Sequence, residues 1–190
     1  MKTLSRMTCF SAALAISAIS FSPAPVHAET ASPARPVAAS LDDDQAFTFT
    51  ARSTAAGIQS SAASVITCRG SFKGGKPYDA PHPGASSKKR KINAHLSVTC
   101  TGTGAGATRV TVSSVMIDGH RAGKASTGSG WGKARTGGDL ACVKSKRAYQ
   151  AVGRVVIKFP PRYTPPSATL SARSLAKAFK KNGKGICVKP

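Results

Sequence analysis

The sequence predicts an all-β protein: an antiparallel, immunoglobulin-like β-sandwich held by two disulfides. Three observations carry this. Apolar and polar residues alternate with period two in several short runs, most clearly from Ile92 to Cys100. Clusters of Gly and Pro and an Asp-Gly pair separate those runs. Four cysteines, Cys68, Cys100, Cys142 and Cys187, lie in or beside them, an even number suited to bridges in an exported chain.

The first segment in chain order reads as a targeting signal. Lys2 and Arg6 make a basic start, Thr8 to Phe21 is uncharged, and Pro23 and Pro25 end the apolar stretch. Val26-His27-Ala28 then supplies a cleavage site, so residues 1–28 are expected to be a secretory signal peptide and Glu29 the first mature residue. The stretch is too short and too rich in Ala and Ser for a membrane span. Arg6-Met7-Thr8 before Cys9 does not match a lipidation signal. No transmembrane segment is expected elsewhere. Residues 29–45, rich in Pro and Ala, read as a flexible arm whose acidic triplet Asp42, Asp43 and Asp44 suits docking to a partner. Residues 46–190 are then a single basic sandwich domain, long enough for one core.

Within it, Phe47 to Arg52 alternates aromatic with Thr as a first strand, and Ser64 to Gly70 is a second, carrying Cys68. Gly74 to Ser87 is a Gly/Pro loop. Ile92, Ala94, Leu96, Val98 and Cys100 share one face of the next strand, with Asn93, His95, Ser97 and Thr99 on the other. Thr101 to Ala107 is a Gly/Thr turn without the Lys-Ser/Thr ending of a phosphate loop. Arg109 to Ile117 is a strand whose apolar residues change face, predicting a bulge near Ser113-Ser114. Asp118-Gly119 is a hairpin turn, with His120 to Ser126 as the return strand and Thr127 to Gly138 as a Gly-rich segment around Trp131. Tyr149 to Phe159 is a long strand ended by the prolines of 160–166, which read as a rigid connection between sheets rather than a PxxP ligand. Ser171 to Lys181 reads as one short C-terminal helix or, from Ala168, as a strand. Ile186 to Val188 is a last short strand.

Four cysteines allow three pairings, which sequence alone leaves open. The favoured one, Cys68–Cys100 with Cys142–Cys187, closes one half of the chain with each bridge, each stabilising by roughly 3–4 kcal/mol. Such support matters where aromatics are only 6% of the residues. A zinc site lacks its usual CxxC or HxxxH spacing.

Charge is the strongest functional signal. Lys plus Arg number 28 against 7 Asp plus Glu, for a formal +21. From Gln45 onward the only acids are Asp79, Asp118 and Asp139. So basic a body attracts extracellular polyanions such as cell-wall polymers or acidic polysaccharide, or an acidic protein partner. The run Lys88-Lys89-Arg90-Lys91 would be a nuclear address in another chain, but an exported protein does not meet the import machinery. It reads instead as the solvated start of a strand or as an anion-contacting patch with Lys73, Lys76, Lys144, Lys146 and Arg147, provided those loops share one end of the sandwich. Sequence-specific nucleic-acid reading is not expected, since no stacking-aromatic array accompanies the charge.

Catalytic signals are sparse. His82 lies between prolines, His95 on the polar face of its strand and His120 after the hairpin turn. There is no GxSxG motif and no carboxylate pair for glycoside chemistry. No catalytic residue, metal ligand or cofactor is assigned.

The signal ending Val26-His27-Ala28, the strand Leu96-Ser97-Val98-Thr99-Cys100, the segment from Phe159 to Ser174 and Cys187 together resemble the small secreted, two-disulfide β-sandwich proteins common in actinobacteria, over residues 46–190. Some of these are similar to adaptor subunits that join lectin and scaffold subunits of secreted toxin particles through an extended N-terminal arm. The resemblance implies a non-enzymatic extracellular adaptor acting through protein–protein contacts. The strong basicity departs from that group and supports a cationic protein binding cell-wall or other polyanions, with antimicrobial action as one outcome. A secreted hydrolase or hydrolase inhibitor is the third reading.

Overall fold

The structure, a computed structural model, describes residues 46–54, 64–72, 80–85 and 87–190. The expected signal peptide, the arm with Asp42, Asp43 and Asp44, and Lys73 and Lys76 of the expected patch lie outside the described residues. Strands alternate inward and outward side chains throughout, as the period-two pattern requires.

The first sheet contains β1 (Phe47–Ser53), β2 (Val65–Ser71), β3 (His82–Pro83), β4 (Lys91–Gly102), β7 (Lys133–Ala141) and β9 (Tyr163–Thr164). At its centre β4 pairs with β7 along one side, and with β2 and then β3 along the other. The second contains β5 (Arg109–Ile117), β6 (Ser126–Trp131), β8 (Arg147–Lys158), β10 (Ser167–Arg173), β11 (Lys177–Lys181) and β12 (Cys187–Val188). Here β8 is central, with β5 along one side and β10 and β11 along the other; β6 lies outside β5 and β12 outside β11. All pairings are antiparallel, so the chain is an all-β sandwich.

The core lies between the sheets. Ile92, Ala94, Leu96 and Val98 of β4 face Val110, Val112 and Met116 of β5 and Tyr149, Ala151, Val155 and Ile157 of β8, all essentially inaccessible. Burying each large aliphatic side chain contributes roughly 1.5–3 kcal/mol. Both favoured disulfides form. Cys68 and Cys100 stand directly opposite each other on β2 and β4, so this bridge lies within one sheet. Cys142, just past β7, joins Cys187 of β12, so this bridge ties one sheet to the other.

Three expectations are corrected. No bulge interrupts β5, which pairs with β8 in unbroken register from Arg109↔Lys158 to Ile117↔Gln150. Ser114 points inward beside Gly153, and a Cβ at Gly153 would press on Leu96 and Phe72 from the other sheet. Those two side chains fill the space that the small pair leaves, and Val115 and Ile117 take the outer face instead. The tail has no helix: Ser167–Arg173 and Lys177–Lys181 are both strands, fixed by pairing to β8. The return strand starts only at Ser126, since 118–125 is a wide turn with a single bridge, Ile117↔Ala122. The Gly-rich segment forms β6 and most of β7, which carry the chain across from the second sheet to the first. A Cβ at Gly123, Gly128 or Gly130 would strike the carbonyl oxygen of Asp139, Arg135 or Lys133, so only glycine permits the two strands to lie this close. The prolines of 160–166 do connect sheets: β9 within them pairs with β1 before the chain returns to β8 through β10.

Candidate functional site

The KKRK run forms a turn between β3 and β4. Gly84 donates to the Lys91 carbonyl at 2.9 Å, and the Lys88, Lys89 and Arg90 amides donate to Ala85, Gly84 and Ser87 carbonyls at 3.1, 2.9 and 3.0 Å. The Ser87 hydroxyl adds a bond to the Gly84 carbonyl at 2.9 Å. Lys88 and Lys89 both adopt left-handed backbone, φ 50° and 59°. For a residue with a Cβ this costs roughly 1–2 kcal/mol each, and Gly or Asn is the usual occupant. Lys91 alone belongs to the strand.

The inter-sheet disulfide lies under this turn. The Cys187 amide donates to the Lys89 carbonyl at 2.7 Å, and Cys142 Sγ lies 3.9 Å from the Arg90 carbonyl oxygen, a packing contact because a bridged sulfur has no proton to give. From Cys142 the chain runs directly into the exposed Lys144 and Lys146. That loop is tied by Lys181 donating to the Val143 carbonyl at 2.7 Å and by the Val143 amide donating to Tyr149 Oη at 3.2 Å. The structure thus gathers the KKRK turn, the Lys144/Lys146 loop and the β11–β12 hairpin at one end of the sandwich. The hairpin adds Lys180, Lys181 and Lys184, which the sequence reading did not single out because nothing local joins them to Cys142.

Two carboxylates occupy this end, and both are taken. Asp118 is buried and accepts from the His120 and Arg121 amides at 3.1 and 2.8 Å and from Arg121 Nε and Nη2 at 2.9 and 2.6 Å. Burial pushes its carboxyl up, but the Arg121 guanidinium and the two amides outweigh that and hold it below the ordinary aspartate value. Arg147 Nη1 lies 3.6 Å from the same carboxylate. Arg147 is therefore turned onto Asp118 and is not presented with Lys144 and Lys146. Lys91 pairs with Asp139 at 3.0 Å, both about half exposed, a contact worth at most about 1 kcal/mol. Neither described aspartate is left for Lys88, Lys89, Arg90, Lys144 or Lys146.

Beside the basic end, across β4 and β7, lies an open groove of about 460 Å³, lined by Lys91, Asn93, His95, Lys124, Ser126 and Asp139 among others. Gly137 and Gly138 line it without side chains, which leaves it room, and Ser126 Oγ meets Thr136 Oγ1 at 2.7 Å. His82 of β3 stands 6.1 Å, ring to ring, from His95. Among the described residues no three His, Cys, Asp or Glu side chains converge to hold a metal. No helix among them is long and apolar enough to cross a membrane.

Fold and site together define a class: an all-β sandwich with two disulfides, one of which organises a strongly cationic end. No family model, curated protein or solved structure matches the chain.

Proposed function

We propose that this protein is a non-enzymatic extracellular binding protein whose cationic end takes an anionic polymer. One observation carries the reading: two consecutive lysines, Lys88 and Lys89, are held in strained left-handed backbone at an exposed turn, with neither described aspartate to answer them. Residues kept in an unfavourable backbone conformation at a surface point to use of the side chains they display. The disulfide beneath holds this turn against the Lys144/Lys146 loop, so the charges form a fixed patch rather than a dispersed coat. The groove lined by Lys91, His95 and Lys124 extends the patch with hydrogen-bonding groups. The adaptor reading rests on residues 29–45, outside the described part of the chain, and nothing in the sandwich adds to it.

Inorganic polyphosphate tests the patch with a polyanion that has no sugar and no base. The protein should bind it saturably, and added salt should weaken binding, since exposed charges are screened over about 8–10 Å near physiological ionic strength. Replacing Lys88, Lys89, Lys144 and Lys146 together by Gln should lower affinity by about tenfold or more. Unchanged affinity in that variant would sink the proposal.

A further inference from the structure

The outer face of the second sheet carries a different kind of surface. Pairing register places Trp131 of β6 beside Arg109 of β5, and Arg109 beside Lys158 of β8, so the three side chains form one cross-strand row. Two strand spacings separate its ends, roughly 10 Å. Trp131 is 60% exposed, unusual for the largest side chain in the chain. It is nonetheless held in place: the Arg109 guanidinium lies 5.2 Å from the ring centroid and donates to Ser129 Oγ at 3.0 Å. Further along the same face, Thr111 of β5 and Arg154 of β8 point outward, and Arg173 of β10 joins them. About half of the remaining outward positions are Ser or Thr, as at Ser113, Thr169 and Ser171, with Val115, Ile117, Val152 and Val156 among them, and the face carries no acid among the described residues.

The geometry points to a second binding site on this face for an acidic polysaccharide. One sugar ring would stack on the free face of Trp131, the ring's carboxylates or sulfates would meet Arg109, Lys158, Arg154 and Arg173, and the hydroxyls of the sheet would exchange hydrogen bonds with those of the sugar. Each feature selects part of that ligand. An exposed indole fixed by a cation is a stacking platform rather than a core residue. A field of hydroxyls matches a polyhydroxylated chain better than a nucleic acid, which such surfaces hold by several aromatics in series. Four cations on a face with no acid among the described residues call for an anion. The Trp131 row lies at the far end of β8 from Arg147 and the KKRK end, and its chemistry differs, so the site does not depend on the function proposed above.

Trp131 is the only tryptophan, so its emission reports this face alone. Titration with polygalacturonate should shift or quench the emission saturably, and the response should persist in the variant with Lys88, Lys89, Lys144 and Lys146 replaced by Gln. By calorimetry, Trp131→Ala should bind polygalacturonate about tenfold more weakly, the equivalent of about 1.4 kcal/mol. A double variant, Arg154→Gln with Arg173→Gln, should weaken binding while keeping the emission change. The site is refuted by a silent Trp131, by an equal response to neutral dextran, or by tighter binding of an oligothymidylate than of polygalacturonate. It is refuted equally if the four-lysine variant abolishes the response.

Discussion

Asp118 and the lysine pair at 88 and 89 mark opposite uses of single residues. Asp118 is buried, shares its oxygens among two amides and a guanidinium, and titrates below its ordinary range. Its contribution to stability is therefore complete above about pH 4, where an unfolded aspartate is ionised, and drains away as pH falls through the lowered folded value. Asp118→Asn should destabilise by about 1–3 kcal/mol at pH 7, measured by urea unfolding, and the difference from the parent should shrink toward pH 2. Lys88 and Lys89 run the other way. Lys88→Gly with Lys89→Asn relieves left-handed strain and should raise stability by about 1 kcal/mol or more in thermal melts, while polyphosphate binding falls. A variant that gains neither stability nor loses affinity would contradict the argument from strain. Both roles were half legible beforehand. An Asp-Gly pair announces a turn, but the arginines that close on Asp118 and the backbone angles of a lysine run leave no trace in composition.

At the scale of elements, β4 and β8 could be read from the sequence because one face of each is buried and the other wet, so the alternation is written in side-chain chemistry. The β6–β7 crossing could not. Glycine at 128, 130, 137 and 138 offers no apolar pattern, and its reasons lie in distant parts of the chain: the Arg135 and Lys133 carbonyl oxygens across the hairpin for Gly128 and Gly130, the His95 ring for Gly137 and the Val115–Met116 backbone for Gly138. Gly128→Ala should accordingly cost about 1–3 kcal/mol or more in chemical denaturation, as overpacking against rigid backbone does. The two disulfides divide along the same lines. Removing Cys68–Cys100 by paired substitution to Ala should lower stability and leave polyphosphate affinity near that of the parent. Removing Cys142–Cys187 should lower both, because the Cys187 amide and the Cys142 sulfur hold the turn that displays Lys88 to Arg90. Binding measured below the unfolding transition of each variant separates the two.

Across the whole molecule, the +21 balance was plain from composition, but its distribution was not. Lys88, Lys144 and Lys184 are far apart in the chain and meet only because β12 docks under the first turn and β11 aligns with the start of β8. The described aspartates sharpen this, since Asp118 engages Arg121 and Arg147 and Asp139 engages Lys91, which draws those three cations away from the exposed lysines of the patch. The β8 strand has one further consequence. It runs for twelve residues from Arg147, against the cationic end, to Lys158 in the Trp131 row, a length of about 40 Å. With both surfaces occupied, one molecule would bridge two polymer chains and hold them at that spacing. Mixing protein with a long acidic polysaccharide should then give turbidity that rises, peaks and clears as protein is added in excess, the signature of a crosslinker. Trp131→Ala should flatten the peak.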